Sequence, residues 1–204
     1  KNAHSLALSI AKTHIPDLTP VRMLYFPMTR DKAEMQKAWK LNAQTIINEL
    51  EQEKKVAFIT LGDAMIYSTY GYVLKNIREM APQFPIVRIP GITSYQAAAA
   101  RLNTPLVEGE ETLMVVSGAK GGNRLRDLEG KPENVVFLKA YRNVQDIQAA
   151  IHEAGNFSSC VGVKNCSQPD EKIIPDIEVL SQQSPDYWTL ILAKQNIKNG
   201  SAKE

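Results

Sequence analysis

The sequence predicts an α/β protein of two α/β domains, and three observations carry that prediction. In the first half, short apolar runs alternate with segments of helical spacing: Val21–Phe26, Val56–Leu61 and Phe84–Ile89 are each followed by a helical pattern. Runs that are apolar on both faces fit buried parallel strands. Two of them end in glycine and hydroxyl residues just before a helix, the turn that places ligands in open α/β sheets. The second half instead closes on consecutive strand-like runs, so its sheet is expected to be mixed. The boundary is placed in Asn103-Thr104-Pro105-Leu106 and the charged Glu108-Gly109-Glu110-Glu111, giving domains 1–104 and 105–204.

The elements follow in order. Ser5 to Lys12 has a short helical pattern with Leu6, Ala7 and Ile10 on one face, closed by Pro16 and Pro20. After the strand Val21–Phe26, Thr29 or Asp31 can cap a helix from Lys32 to Glu53. Its apolar stripe is Met35, Trp39, Ala43, Ile46, Ile47 and Leu50, which is a core face. Val56–Leu61 leads through Gly62-Asp63 into a helical run from Ile66 to Arg78. Phe84–Ile89 leads through Pro90-Gly91 into an alanine-rich helix, Ala97–Arg101, started by Thr93 or Ser94. Four consecutive alanines either let that helix approach a neighbour closely or simply favour helix. Beyond the boundary, strands are expected at Thr112–Val116, Asn134–Lys139, Ser159–Lys164, Ile173–Val179 and Tyr187–Ala193. Helices are expected from the Lys120-Gly121-Gly122-Asn123 loop to Leu128 and over Val144–Ala154.

Composition narrows the functions. The chain has 204 residues and a net charge of +2, without the basic excess of a nucleic-acid surface. No apolar run is long enough to span a bilayer, and no signal peptide is visible. Cys160 and Cys166 lack CxxC spacing and the histidines are scattered, so a metal site or disulfide framework is not expected and a cytoplasmic location is. There is no GxSxG elbow, P-loop or GxGxxG fingerprint. Lys120-Gly121-Gly122-Asn123 is not a Walker motif; it reads as a plain turn or a flexible substrate lid. With no activated nucleophile in view, an enzyme of this sequence works by holding two reactants together.

Leu61-Gly62-Asp63-Ala64-Met65-Ile66-Tyr67-Ser68-Thr69 and Pro90-Gly91-Ile92-Thr93-Ser94-Tyr95-Gln96, continuing to Leu102, resemble the tetrapyrrole methylase family. Within it, the likeness is to the precorrin-2 / cobalt-factor II C(20)-methyltransferases of cobalamin biosynthesis. Phe26–Asp31, Ser117–Gly121, Leu138–Arg142, Gln168–Ile174 and Pro185–Leu190 resemble the same subfamily, so the likeness spans nearly the whole chain. Two departures stand out. The family opens with a strand and a Gly-x-Gly-Pro-Gly-Asp loop, which this sequence lacks, so an upstream segment is expected. Ala64 stands where many relatives have proline.

The resemblance implies S-adenosylmethionine bound between two domains and released as S-adenosylhomocysteine. Its cofactor contacts carry over to Leu61, Gly62, Asp63, Ile66, Thr93, Ser94, Leu138, Lys139, Thr189 and Leu190. A strand-tip carboxylate suits the cofactor's cations, and helix-start amides suit its carboxylate. The substrate is a small-molecule tetrapyrrole rimmed with carboxylates. Arg30, Tyr67, Arg101, Lys120, Lys139 and Arg142 are the candidate contacts, with Arg124 a further cation. No catalytic base is assigned; Tyr67 and Tyr141 are the hydroxyls in view. The resemblance also implies a homodimer, with neither nucleic acid nor membrane as partner. The alternatives are a methyltransferase for another corrin-ring intermediate and a non-catalytic ligand-binding relative. On its own residues, Gly62-Asp63 also fits an ordinary turn capped by Asp63 or Ser68.

Overall fold

The computed structural model describes residues 5–182 and 186–195. Pro185, which opens one of the motifs above, lies outside them. The chain forms two compact units, residues 1–93 and 94–204.

In the first unit, α1 (Leu6–Ala11) begins on Ser5, whose hydroxyl accepts the Leu8 amide. The long helix α2 (Lys32–Leu50) is capped by Asp31, which accepts the amides of Ala33 and Glu34. It packs on α3 (Tyr70–Met80) through Ala43, Ile46, Ile47, Val73 and Ile77. Three extended segments lie where strands were expected, yet no strand is laid down among the described residues of this unit. Their side chains divide cleanly. Leu24, Phe26, Phe58, Phe84 and Ile86 pack on the α2–α3 core, while Val21, Met23, Tyr25, Ile59, Val87 and Ile89 are exposed. The mainly parallel sheet is corrected to extended chain held by side-chain packing on one face. A ladder needs a neighbour within about 5 Å offering its own amides, and Pro85, inside the third segment, has no amide to give.

The second unit carries a mixed five-stranded sheet in the order β1-β2-β5-β3-β4. These are Leu113–Ser117, Asn134–Leu138, Ser159–Lys164 (β3), Lys172–Ile174 (β4) and Thr189–Lys194 (β5). β1 and β2 are parallel; β5 runs antiparallel to both β2 and β3. Alternate residues face two cores. Val135, Phe137, Ile191 and Ala193 meet Leu125 of α5 (Asn123–Arg126), Ile147 and Ile151 of α6 (Val144–Ala154), and Leu180 of α7 (Ile177–Ser181). Val136, Leu138, Val163, Leu190 and Leu192 meet Ala98 of α4 (Ser94–Arg101). That contact puts the alanine-rich helix in the second unit. The strand expected over Ile173–Val179 stops at Ile174. Pro175 cannot donate to a ladder, and Asp176 accepts the Glu178 amide at 2.7 Å to start α7.

The Lys120 loop is a packed turn and not a flexible lid. Ser117 Oγ accepts the Ala119 amide, Asn143 donates to the Ala119 carbonyl, and Asp146 accepts the Gly122 amide at 2.8 Å. Arg126 then ties Asp146 to Glu153.

Candidate cofactor and substrate site

The turn after Val56–Leu61 is built around one carboxylate. Gly62 takes φ +72, a left-handed conformation that glycine adopts without cost. Asp63 Oδ1 then accepts the Met65 amide at 2.7 Å, and Oδ2 accepts the Gly91 amide at 2.9 Å. The Gly91 amide first, and the Met65 amide second, hold the Asp63 carboxyl below the usual carboxylate range. Gly91 has no room for a side chain: a Cβ there would lie 2.4 Å from the Gly62 carbonyl oxygen. The two glycine turns singled out in the sequence are therefore in direct backbone contact within the first unit. Asp63 is not the cap of α3. The N-cap residue is Thr69, which makes no side-chain cap bond; the Ser68 hydroxyl before it accepts the Tyr70 amide and bonds Thr60 at 3.1 Å. Around the turn, Leu61, Ile66 and Tyr67 are exposed, and Tyr67 takes φ +50. Thr93 is buried; Ser94 is exposed as the first residue of α4. Arg30 is exposed.

A second cluster lies along one edge of the sheet in the second unit. The parallel and antiparallel registers bring the ends of β1, β2 and β3 and the start of β5 to that edge. Leu138 ends β2 buried, and Lys139 follows at φ +58. The Ala140 amide donates to the Thr189 carbonyl, and the Asn165 amide donates to that of Trp188. Tyr141, Tyr187 and Trp188 stack edge to face at 5.2 and 5.1 Å between ring centres. Lys139 Nζ lies 5.8 Å from the Tyr187 ring centre, and the Arg142 guanidinium lies 5.1 Å from that of Tyr141. Lys120 is exposed at the end of the turn after β1.

Thr189 is 1% exposed, and its hydroxyl has no hydrogen-bond partner among the described residues. A buried unsatisfied hydroxyl is costly and calls for an explanation. A polar small molecule at this edge would supply the missing partner, so the residues fit a cofactor contact here. Leu190, one residue on, is buried in the sheet core and offers only main chain and apolar surface.

Arg101 is engaged within its own unit. Its Nε donates to Glu171 Oε1 at 2.5 Å, and Glu171 Oε2 accepts the Ser167 amide. Asn165 and Ser167 are both left-handed, and Asn165 donates to Asp170. Sequence reasoning marked Gln168–Ile174 only as a family-like motif and missed the left-handed Asn165 and Ser167, although asparagine is a residue that tolerates such a conformation. It also missed the Tyr187–Trp188 pair as ring surfaces. Among the described residues, no group of three or more His, Cys, Asp or Glu converges to hold a metal, and no helix is long and apolar enough to cross a membrane.

Comparison with known proteins identifies the family and the fold. The profile of the Tetrapyrrole (Corrin/Porphyrin) Methylases matches residues 1–178. The cobalt-precorrin-2 C(20)-methyltransferase of Salmonella typhimurium is 31% identical over 196 residues, covering 96% of this chain and 81% of that protein. The structure of a cobalt precorrin-4 methyltransferase superposes with a TM-score of 0.60 at 18% identity, over 82% of this chain and 72% of its own. The uroporphyrin-III C-methyl transferase of Thermus thermophilus, complexed with S-adenyl homocysteine, gives 0.56 at 17% identity, over 76% and 72%. The chain belongs to the tetrapyrrole methylase family.

Proposed function

We propose that the protein is an S-adenosylmethionine-dependent C-methyltransferase of cobalamin biosynthesis, methylating the C(20) meso carbon of precorrin-2 or its cobalt form. The observation that carries this reading is the match to a C(20)-methyltransferase along nearly the whole chain, with both glycine turns in place. When bound, S-adenosylmethionine supplies an electrophilic methyl group, so the chain's task is to hold, orient and keep water out.

In this reading Gly62, Gly91 and the main chain of Leu61–Ile66 form a cradle whose backbone comes close to the cofactor. Thr189 gives its unpaired hydroxyl, and the left-handed Lys139 presents main-chain groups at the sheet edge. Lys139 and Arg142, each lying over a tyrosine ring, are cations suited to substrate carboxylates. Arg101 is committed to Glu171 and contributes through the 165–171 loop. We also propose a homodimer, which rests on the family likeness and is checked by sedimentation.

The test is methyl transfer to precorrin-2, to cobalt-loaded precorrin-2 and to later intermediates. Product from one or both of the first two is expected. Product from a later intermediate alone would move the enzyme to another step. Cofactor binding without transfer to any of them would mark a non-catalytic relative.

A further inference from the structure

We infer that Asp63 is a positioning residue: its carboxylate latches the Leu61–Ile66 turn to the Pro90–Thr93 turn and serves the cofactor through the main chain, not as a charge partner. The inference rests on the cofactor reading above.

Both carboxylate oxygens already have donors, the Met65 amide at 2.7 Å and the Gly91 amide at 2.9 Å. The Gly91 amide lies 28 residues along the chain from Asp63, so the carboxylate closes a long-range contact and not only a local turn. Gly91 packs on the Gly62 carbonyl with no space for a Cβ. The two turns thus meet backbone to backbone, and the carboxylate bridges them at that point. Gly62 at φ +72 and Tyr67 at φ +50 bound the segment, so its shape depends on constraints beyond local preference. Carboxylate-to-amide bonds are charge-assisted and directional. A turn held in this way presents its carbonyls and amides in one arrangement before any ligand arrives, which lowers the ordering cost of binding.

The experiment uses Asp63→Asn, which preserves shape but turns an amide donor toward one of the two N–H groups. Hydrogen exchange is followed at the Gly91 and Met65 amides of the ligand-free chain. Binding is measured with S-adenosylmethionine, S-adenosylhomocysteine and 5′-methylthioadenosine, the last of which carries neither sulfonium nor ammonium. The latch predicts exchange about tenfold faster at one or both amides in the variant. It also predicts affinity reduced by a similar factor for all three probes, the uncharged one included.

Unchanged exchange overturns the latch. An affinity loss confined to the charged probes also overturns it and makes Asp63 a direct charge partner. If the wild-type chain binds none of the three, the cofactor reading fails on its own. The exchange comparison still decides whether the latch exists.

Discussion

Thr189→Val offers a test in which the expected sign runs against the usual effect of mutation. Thr189 is 1% exposed at the start of the central strand, and its hydroxyl has no partner among the described residues. Valine keeps the branched shape and the strand preference while replacing the hydroxyl with a methyl group. A buried hydroxyl left unsatisfied costs about 1–3 kcal/mol. Removing it should therefore stabilise the ligand-free protein by about 1–2 kcal/mol. With a urea slope of about 2 kcal/mol per molar, the midpoint should rise by roughly 0.5–1 M. Equilibrium urea unfolding followed by fluorescence reads this directly. Most substitutions destabilise, so a rise is diagnostic. A fall of about 1 kcal/mol or more would mean that the hydroxyl makes a bond in the free protein, and the reasoning would fail. Binding gives a second reading. If the hydroxyl is reserved for the cofactor, the same variant should bind S-adenosylhomocysteine about five- to tenfold more weakly.

Gly122→Ala should destabilise by about 1–3 kcal/mol, because the new Cβ would overpack the second unit. That Cβ would fall 2.2 Å from Ala150 Cβ on α6, while the backbone at φ −93 accepts alanine. Gly130→Ala, with nothing within 4 Å of its Cβ, is the control, and equal denaturation midpoints for the two would refute the packing argument. Stability should also fall in acid. Asp146 is held below its ordinary value first by the Gly122 amide and then by Arg126, Glu153 first by Arg126, and Glu171 first by the Ser167 amide. Groups depressed in the folded state contribute stability that is full above the ordinary carboxylate range and lost as pH falls through their folded values. A urea midpoint that stays constant from about pH 6 to about pH 3 would contradict this.

What could be read in advance divides along physical lines. Local chemistry was legible. Asp31 caps α2 where a cap was expected, and α6 runs over Val144–Ala154 before Gly155 ends it at φ +70. The mixed sheet followed from consecutive strand-like runs. Pairing was less legible because a ladder is a property of two segments, not one. Val21–Phe26 and Phe84–Ile89 are extended as expected but have no ladder. Ile173–Val179 looked like one apolar run, yet Pro175 and Asp176 split it into strand and helix. At the candidate site, glycine and hydroxyl residues identified both turns, with an acid in the first. Nothing in their spacing told that Asp63 would reach Gly91, because that bond exists only once the first unit is folded. The left-handed Lys139 and Ser167 had no local signal either, since lysine and serine do not favour that conformation.

The order β1-β2-β5-β3-β4 also bears on how the second unit comes into being. The strand that joins the two halves of the sheet is the last of the five to be synthesised. Until β5 is available, the β1–β2 pair and the β3–β4 pair each have an open edge and half a core. A growing chain must therefore hold these two pieces apart from one another and from other nascent chains. The contacts of β5 with β2 span more than fifty residues, which places this unit among the slower, topology-limited folders.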